Sequence, residues 1–189
     1  MCAPDLEMSD GATSVDDHAQ QVVDAIGNLT DVVLAGHSYG GMPVTLVADR
    51  VPERLARVVY LDAFAPRDGD NAWTQRPELE RILAPQARDG LIPPLAPEHA
   101  GADPEHYDLL REKLTTMPLR CFAEPVHVTG AGKRVPRTYV LCTRSGFGSI
   151  ADRVRNEPGW DYRELDTEHM AMLTMPSEVS GLLLDCAVM

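Results

Sequence analysis

The six residues Gly36-His37-Ser38-Tyr39-Gly40-Gly41 constrain this chain more tightly than any other stretch. They follow an apolar run, Asp31-Val32-Val33-Leu34-Ala35, whose length and β-branched content predict a short buried strand. They precede Met42 to Arg50, which has the pattern of a helix. A Gly-x-Ser-x-Gly at a strand-to-helix junction has the form of a nucleophile elbow, a turn so sharp that only small residues fit beside the serine. Such a turn lifts the serine hydroxyl clear of the sheet and aims the following backbone N–H groups at a bound carbonyl. The competing readings are a plain tight connection and a phosphate cradle. The cradle lacks its chemistry: no Lys follows the glycines as a P-loop needs, and Gly-x-Gly-x-x-Gly is absent.

The flanking pattern predicts an α/β chain. Ser14-x-x-Asp17 can cap a helix that runs to about Ile26, with Val15, Ala19, Val22, Val23 and Ile26 on its apolar face. Gly27 and Asn28 end it, and the strand into Ser38 follows. Pro43 falls in the first turn of the next helix, where its missing N–H does no harm. Arg57-Val58-Val59-Tyr60-Leu61 predicts a second buried strand ending at Asp62, and strand-helix-strand order implies a parallel sheet. Residues 66–136 hold most of the prolines and predict short helices joined by loops, as in Glu105 to Thr115, without strand-like alternation. A lid over the sheet's C-terminal edge is expected there, because parallel sheets bind ligands at that edge; the alternative is an insertion with no pocket role. The sheet pattern resumes with strands at Thr138 to Cys142 and Trp160 to Leu165, separated by a helix at Ser149 to Asn156. Asp166-Thr167-Glu168-His169 is a loop, and Pro176 opens a closing helix with Val179, Leu182, Leu183 and Cys186 on its apolar face. All 189 residues are expected to form one domain.

Charge narrows the partners. The formal charge is −12, from 17 basic and 29 acidic residues, with the acids spread along the chain. Nucleic acid and anionic membrane surfaces need clustered Lys and Arg, so neither is expected as a partner, which leaves a small-molecule substrate. Cys2, Cys121, Cys142 and Cys186 show no metal-ligand spacing, and no metal or cofactor is expected. Cys142 and Cys186 fall on apolar faces as small core residues. The N-terminus has neither the basic region nor the apolar core of a signal peptide, and no stretch reaches membrane-spanning length. A cytoplasmic location is expected.

A serine nucleophile needs a base to take its proton. Of six histidines, His169 is best placed, in the loop after the last strand and so at the same sheet edge as Ser38. His18 lies on the first helix, His99, His106 and His127 lie in the expected lid, and His37 lies inside the elbow facing the sheet. The alternative for His169 is a loop histidine that caps the final helix.

Several segments together resemble the α/β-hydrolase superfamily. They are Gly36 to Gly41, Val51-Pro52-Glu53-Arg54, Tyr60-Leu61-Asp62-Ala63-Phe64, Pro118-Leu119, Phe122-x-x-Pro125-Val126, Pro136 to Thr143, and His169-Met170-Ala171-Met172 before Pro176. The resemblance is to the branch of small esterases grouped with plant methyl esterases and hydroxynitrile lyases, and it runs from about residue 15 to the C-terminus. It implies a mostly parallel sheet with flanking helices and a helical lid. It also implies Ser38 as nucleophile, His169 as general base and the backbone N–H of Tyr39 as one oxyanion donor. Leu91, Ile92, Leu95, Phe122 and Trp73 either line an acyl pocket under the lid or pack inside it, and packing is the expectation.

Two departures from that family accompany the resemblance. Members carry a strand, a Gly/His-rich oxyanion loop, a helix and another strand ahead of the point where this chain starts. An N-terminally shortened fold is therefore expected, with an open strand edge that a second copy of the chain can cover and without the second oxyanion donor. Met1 as an internal methionine of a longer enzyme would account for the same difference. The family's acid usually follows the strand at Thr138 to Cys142, but Thr143-Arg144-Ser145-Gly146-Phe147 carries a serine at the aligned position. Asp152 is the nearest acid downstream. Asp62, at the end of the preceding strand, is the better candidate, against the alternative that it only caps its loop. The leading expectation is a serine hydrolase of small carboxylic esters or lactones. A binding or accessory protein without turnover, and a lyase or cyclase on the same fold, stand beside it.

Overall fold

The computed structural model describes residues 2–188. The first half runs α1 (Val15–Ile26), β1 (Val32–His37), α2 (Gly41–Arg50) and β2 (Leu55–Leu61). The insertion then carries α3 (Ala72–Gln75), α4 (Pro77–Leu83), β3 (Leu91–Ile92), α5 (Tyr107–Lys113), β4 (Met117–Pro118) and α6 (Arg120–Ala123). The chain closes with β5 (Arg137–Cys142), α7 (Gly148–Arg155), β6 (Trp160–Leu165), α8 (Ala171–Thr174) and α9 (Pro176–Val188).

Four strands form one sheet in the order β1-β2-β5-β6, and every pairing in it is parallel. The register sets His37 opposite Leu61, Leu61 opposite Val140, and Cys142 opposite Leu165. The four C-terminal ends therefore lie close to one level, and the loops that follow them share one edge. Alternation divides the side chains between two cores. Val58, Tyr60 and Tyr139 pack with α1, α2, α7 and the insertion, while Val59, Leu61, Val140 and Cys142 pack with Ala171, Val179 and Cys186 of α8 and α9. Among the described residues β1 is an edge strand paired only with β2, and its Ala35 is exposed.

Local chemistry accounts for the element starts. Ser14 Oγ accepts from the Asp17 N–H while the Asp17 carboxylate accepts from the Ser14 N–H, closing the capping box that opens α1. One residue on that helix departs from expectation. His18 is fully buried on the inner face, whereas Val23 is only partly buried, because a polar partner waits for the imidazole inside. The insertion departs too: β3 and β4 form a two-residue antiparallel ladder where no strand is expected. Proline and short length hide it, since two residues carry no periodicity. Ile92, Phe122 and Trp73 are core residues and Leu95 packs against them. No helix among the described residues is long and apolar enough to cross a membrane.

Candidate active site

Ser38 follows β1 directly with φ of +53°, in the left-handed region that a side chain occupies only under strain. Close packing enforces the turn. A Cβ on Gly36 would sit 2.5 Å from the Gly40 carbonyl oxygen, and one on Gly41 would sit 1.9 Å from the Phe64 carbonyl oxygen. Gly40, the second glycine of the motif, has open space around its Cβ position. The tight approaches thus fall on Gly36 and Gly41. The Ser38 carbonyl accepts from the Phe64 N–H at 3.1 Å, which ties the elbow to the chain leaving β2. Ser38–Gly40 forms a 3-10 turn that runs straight into α2. Tyr39 N–H belongs to this opening turn, whose donors lack acceptors within the helix.

Asp62 follows β2 as Ser38 follows β1, and it too has a positive φ, +43°. The residue is fully buried, and each carboxylate oxygen is occupied. Oδ2 lies 2.5 Å from His169 Nδ1, while Oδ1 accepts from the Cys142 N–H at 3.1 Å and from Ser145 Oγ at 2.8 Å. His169 reaches Asp62 from the loop after β6, across the end of β5. With Nδ1–H donating to the carboxylate, Nε2 is the free acceptor of the ring. Asp152, the rival acid, is an exposed residue of α7 and makes no hydrogen bond to His169.

The His169 ring is clamped on two sides. Phe147 stacks on it at 5.1 Å with planes 7° apart, and the His37 ring lies 4.4 Å away. His37 therefore faces the site rather than the sheet: its Nε2–H donates to the His169 carbonyl at 3.0 Å. Burial, then the neighbouring His169, lower the His37 pKa to about 3, so it stays neutral. The insertion reaches the same histidine. Gly101 carries a φ of +67°, and a Cβ there would sit 2.5 Å from His169 Cβ, while its carbonyl accepts from the Met170 N–H. Among the described residues Ser38 Oγ makes no hydrogen bond to His169; such contacts are often long without substrate.

Three contributors escape sequence reasoning. Ser145 registers in the sequence only as a missing acid, yet it donates to the Asp62 carboxylate, which in turn meets His169. Phe147 gives no signal at all. His18 Nε2 faces the Glu7 carbonyl at 2.7 Å and so carries the proton, which leaves Nδ1 to accept from the Tyr39 hydroxyl at 2.7 Å. Burial raises the Tyr39 hydroxyl well above the ordinary phenol range, so it remains a donor. Tyr39 also stacks on Phe122, and Phe122 on Trp73, which anchors the elbow to the insertion. The full burial of His18 on the apolar stripe of an otherwise amphipathic helix emerges only in the structure.

A strained serine after a parallel strand, a buried Asp paired with a part-buried His at the same sheet edge and a helix directly behind the serine define an α/β-hydrolase class of protein. The chain matches the alpha/beta hydrolase family over residues 3–182, and it belongs to that family. It is 30% identical to a carbendazim hydrolyzing esterase of Nocardioides sp. (strain SG-4G), over 90% of this chain and 78% of that protein. It is 23% identical to Methylesterase 17 of Arabidopsis thaliana, over 97% of this chain and 77% of that one. Among solved structures, an extracellular alpha/beta-hydrolase from a Paenibacillus species superposes with a TM-score of 0.81 at 22% identity, covering 94% of this chain and 81% of that one. That likeness establishes the fold, and the relatives are named esterases and hydrolases, so the chain is an esterase-type α/β-hydrolase enzyme.

Proposed function

We propose that the chain hydrolyses small carboxylic esters or lactones through an acyl-enzyme on Ser38. The observation that carries this reading is the His169 Nδ1 to Asp62 Oδ2 contact of 2.5 Å at the same sheet edge as the strained Ser38. His169 Nε2 takes the proton from Ser38 Oγ as the oxygen bonds to the ester carbonyl carbon. The Tyr39 N–H donates to the oxyanion of the resulting tetrahedral centre. Collapse breaks the bond to the alkoxide leaving group, which receives the proton from His169. Water then adds to the acyl carbon with His169 again as base, and the carboxylic acid leaves as Ser38 regains its proton. Asp62 holds the imidazole in the tautomer this needs and stabilises the imidazolium between steps.

The names of the relatives, a carbendazim hydrolyzing esterase and a methylesterase, support a small ester rather than a long-chain lipid. The contact of Gly101 with His169 supports a lid role for part of residues 66–136. The unpaired edge of β1 supports a second copy of the chain as a partner there. The test is hydrolysis of p-nitrophenyl acetate and methyl esters with acid release followed by titration. Wild type is expected to release one acid per ester, and Ser38→Ala none above the uncatalysed rate. Product formed without acid release points to the lyase or cyclase reading. Saturable ester binding without product points to a binding protein.

A further inference from the structure

The opposite ends of the same strands carry a second concentration of polar groups. Arg137 opens β5 opposite Trp160, which opens β6, on the face covered by α2 and α7. A cavity of about 380 Å³ lies there, bounded by Ala48 of α2, Pro66, Val128, Lys133, Arg137 and Trp160. The strand rise puts roughly 16 Å between Arg137 and the Cys142 end of β5, so this is not the Ser38 edge.

The carboxylates around the cavity are already engaged. Arg67 and Arg153 both pair with Glu157. Asp49 accepts from the N–H groups of Thr129, Gly130 and Gly132, and Asp68 from that of Val128. Among the described residues Lys133 and Arg137 have no carboxylate partner, and Arg137 Nε and Trp160 Nε1 are buried without a hydrogen-bond partner. The Arg137 guanidinium lies 4.3 Å from the Trp160 ring centre, with Gly159 close on another side, where a Cβ would come within 3.1 Å of Nη2. Burial draws the Arg137 pKa below its ordinary value, opposed by Tyr60 and Glu157. A rigid, half-desolvated fork with unspent donors is an unfinished network.

We propose that this cavity binds a small organic monocarboxylate. The Arg137 fork matches the two oxygens of a planar carboxylate, with Lys133 at the rim. Ala48, Pro66 and Val128 offer apolar walls for the body of the ligand. Phosphate fits less well, because the backbone N–H groups that would wrap it are spent: those of Thr129, Gly130 and Gly132 on Asp49, and that of Ala131 on Thr129 Oγ1. The inference is independent of the chemistry assigned to Ser38.

The test is a titration of the full chain with sodium benzoate at constant ionic strength, followed by tryptophan fluorescence and calorimetry, with inorganic phosphate in parallel. Saturable benzoate binding is expected, weakened about tenfold or more in Arg137→Gln. Lys133→Gln, an exposed change that leaves the core intact, is expected to weaken it by a few-fold, and Trp160→Phe to remove the fluorescence response. Ser38→Ala is expected to bind benzoate as wild type does. Absence of saturation, indifference to both Lys133→Gln and Arg137→Gln, loss in Ser38→Ala, or phosphate binding as tight as benzoate would each overturn the proposal.

Discussion

Two charged groups at opposite ends of one four-stranded sheet, Asp62 and Arg137, are treated in opposite ways. At the C-terminal ends the Asp62 carboxylate accepts from His169, Cys142 and Ser145 and has no oxygen idle. At the N-terminal ends the half-buried Arg137 has no carboxylate partner, and its Nε is unpaired. A completed polar network in a low-dielectric interior is fixed in one geometry, and each member becomes costly to remove. An uncompleted one leaves donors for something that arrives later. The same fold thus holds a completed polar network around Asp62 and an uncompleted one at Arg137 within the length of a strand.

That contrast can be broken first at Asp62. Asp62→Asn is expected to lower kcat by about 10⁴-fold, by leaving the wrong imidazole tautomer, while Asp152→Asn stays within about twofold. Comparable losses in the two variants would move the acid to α7. A smaller effect belongs to His18→Ala, which strands the Tyr39 hydroxyl in the core and is expected to cost about 2–3 kcal/mol in urea unfolding. Ser145→Ala removes one of the three donors to Asp62, and about 1–2 kcal/mol of stability should go with it. At the other strand ends Arg137→Gln should change stability by less than about 1 kcal/mol, since the lost ring contact is offset by relief of burying an unpaired charge. A loss as large as that of His18→Ala would mean the guanidinium is structurally engaged after all.

Acid stability tests the C-terminal edge of the sheet in another way. The His37 pKa is lowered from 6.5 to about 3 in the folded chain, so between those values the unfolded state binds the proton and the folded state does not. Stability from this group is therefore present above about pH 6.5 and lost as pH falls towards 3, with a slope of at most about 1.4 kcal/mol per pH unit. His37→Gln should flatten the acid limb of an unfolding-versus-pH series, and an unchanged limb would show that His37 is protonated in the folded chain.

The elements legible in the sequence are those with a period or a cap. Ser14 and Asp17 announce α1, and the alternation of apolar runs with helical patterns marks all four strands of the main sheet. The candidate site is legible only as placement: Ser38 and Asp62 follow strands directly and His169 lies in the loop after the last one, so all three fall at one sheet edge. What stays hidden depends on contacts between distant segments. Ser145 meets Asp62 across 83 positions, and His18 meets Tyr39 across 21, with nothing local to mark either pairing. The motif also misplaces one steric demand, since Gly41 rather than Gly40 lies against the Phe64 backbone. No pattern in the sequence reports which neighbour a backbone will touch.

The most direct measurement is covalent labelling with a fluorophosphonate, which reports only a serine activated by its base. Wild type is expected to gain one phosphonyl adduct, located on Ser38 by peptide mass analysis, with Ser38→Ala unlabelled and Asp62→Asn labelled far more slowly. A folded wild-type chain that stays unlabelled, or one labelled equally well after Ser38→Ala, would contradict a nucleophile at the elbow.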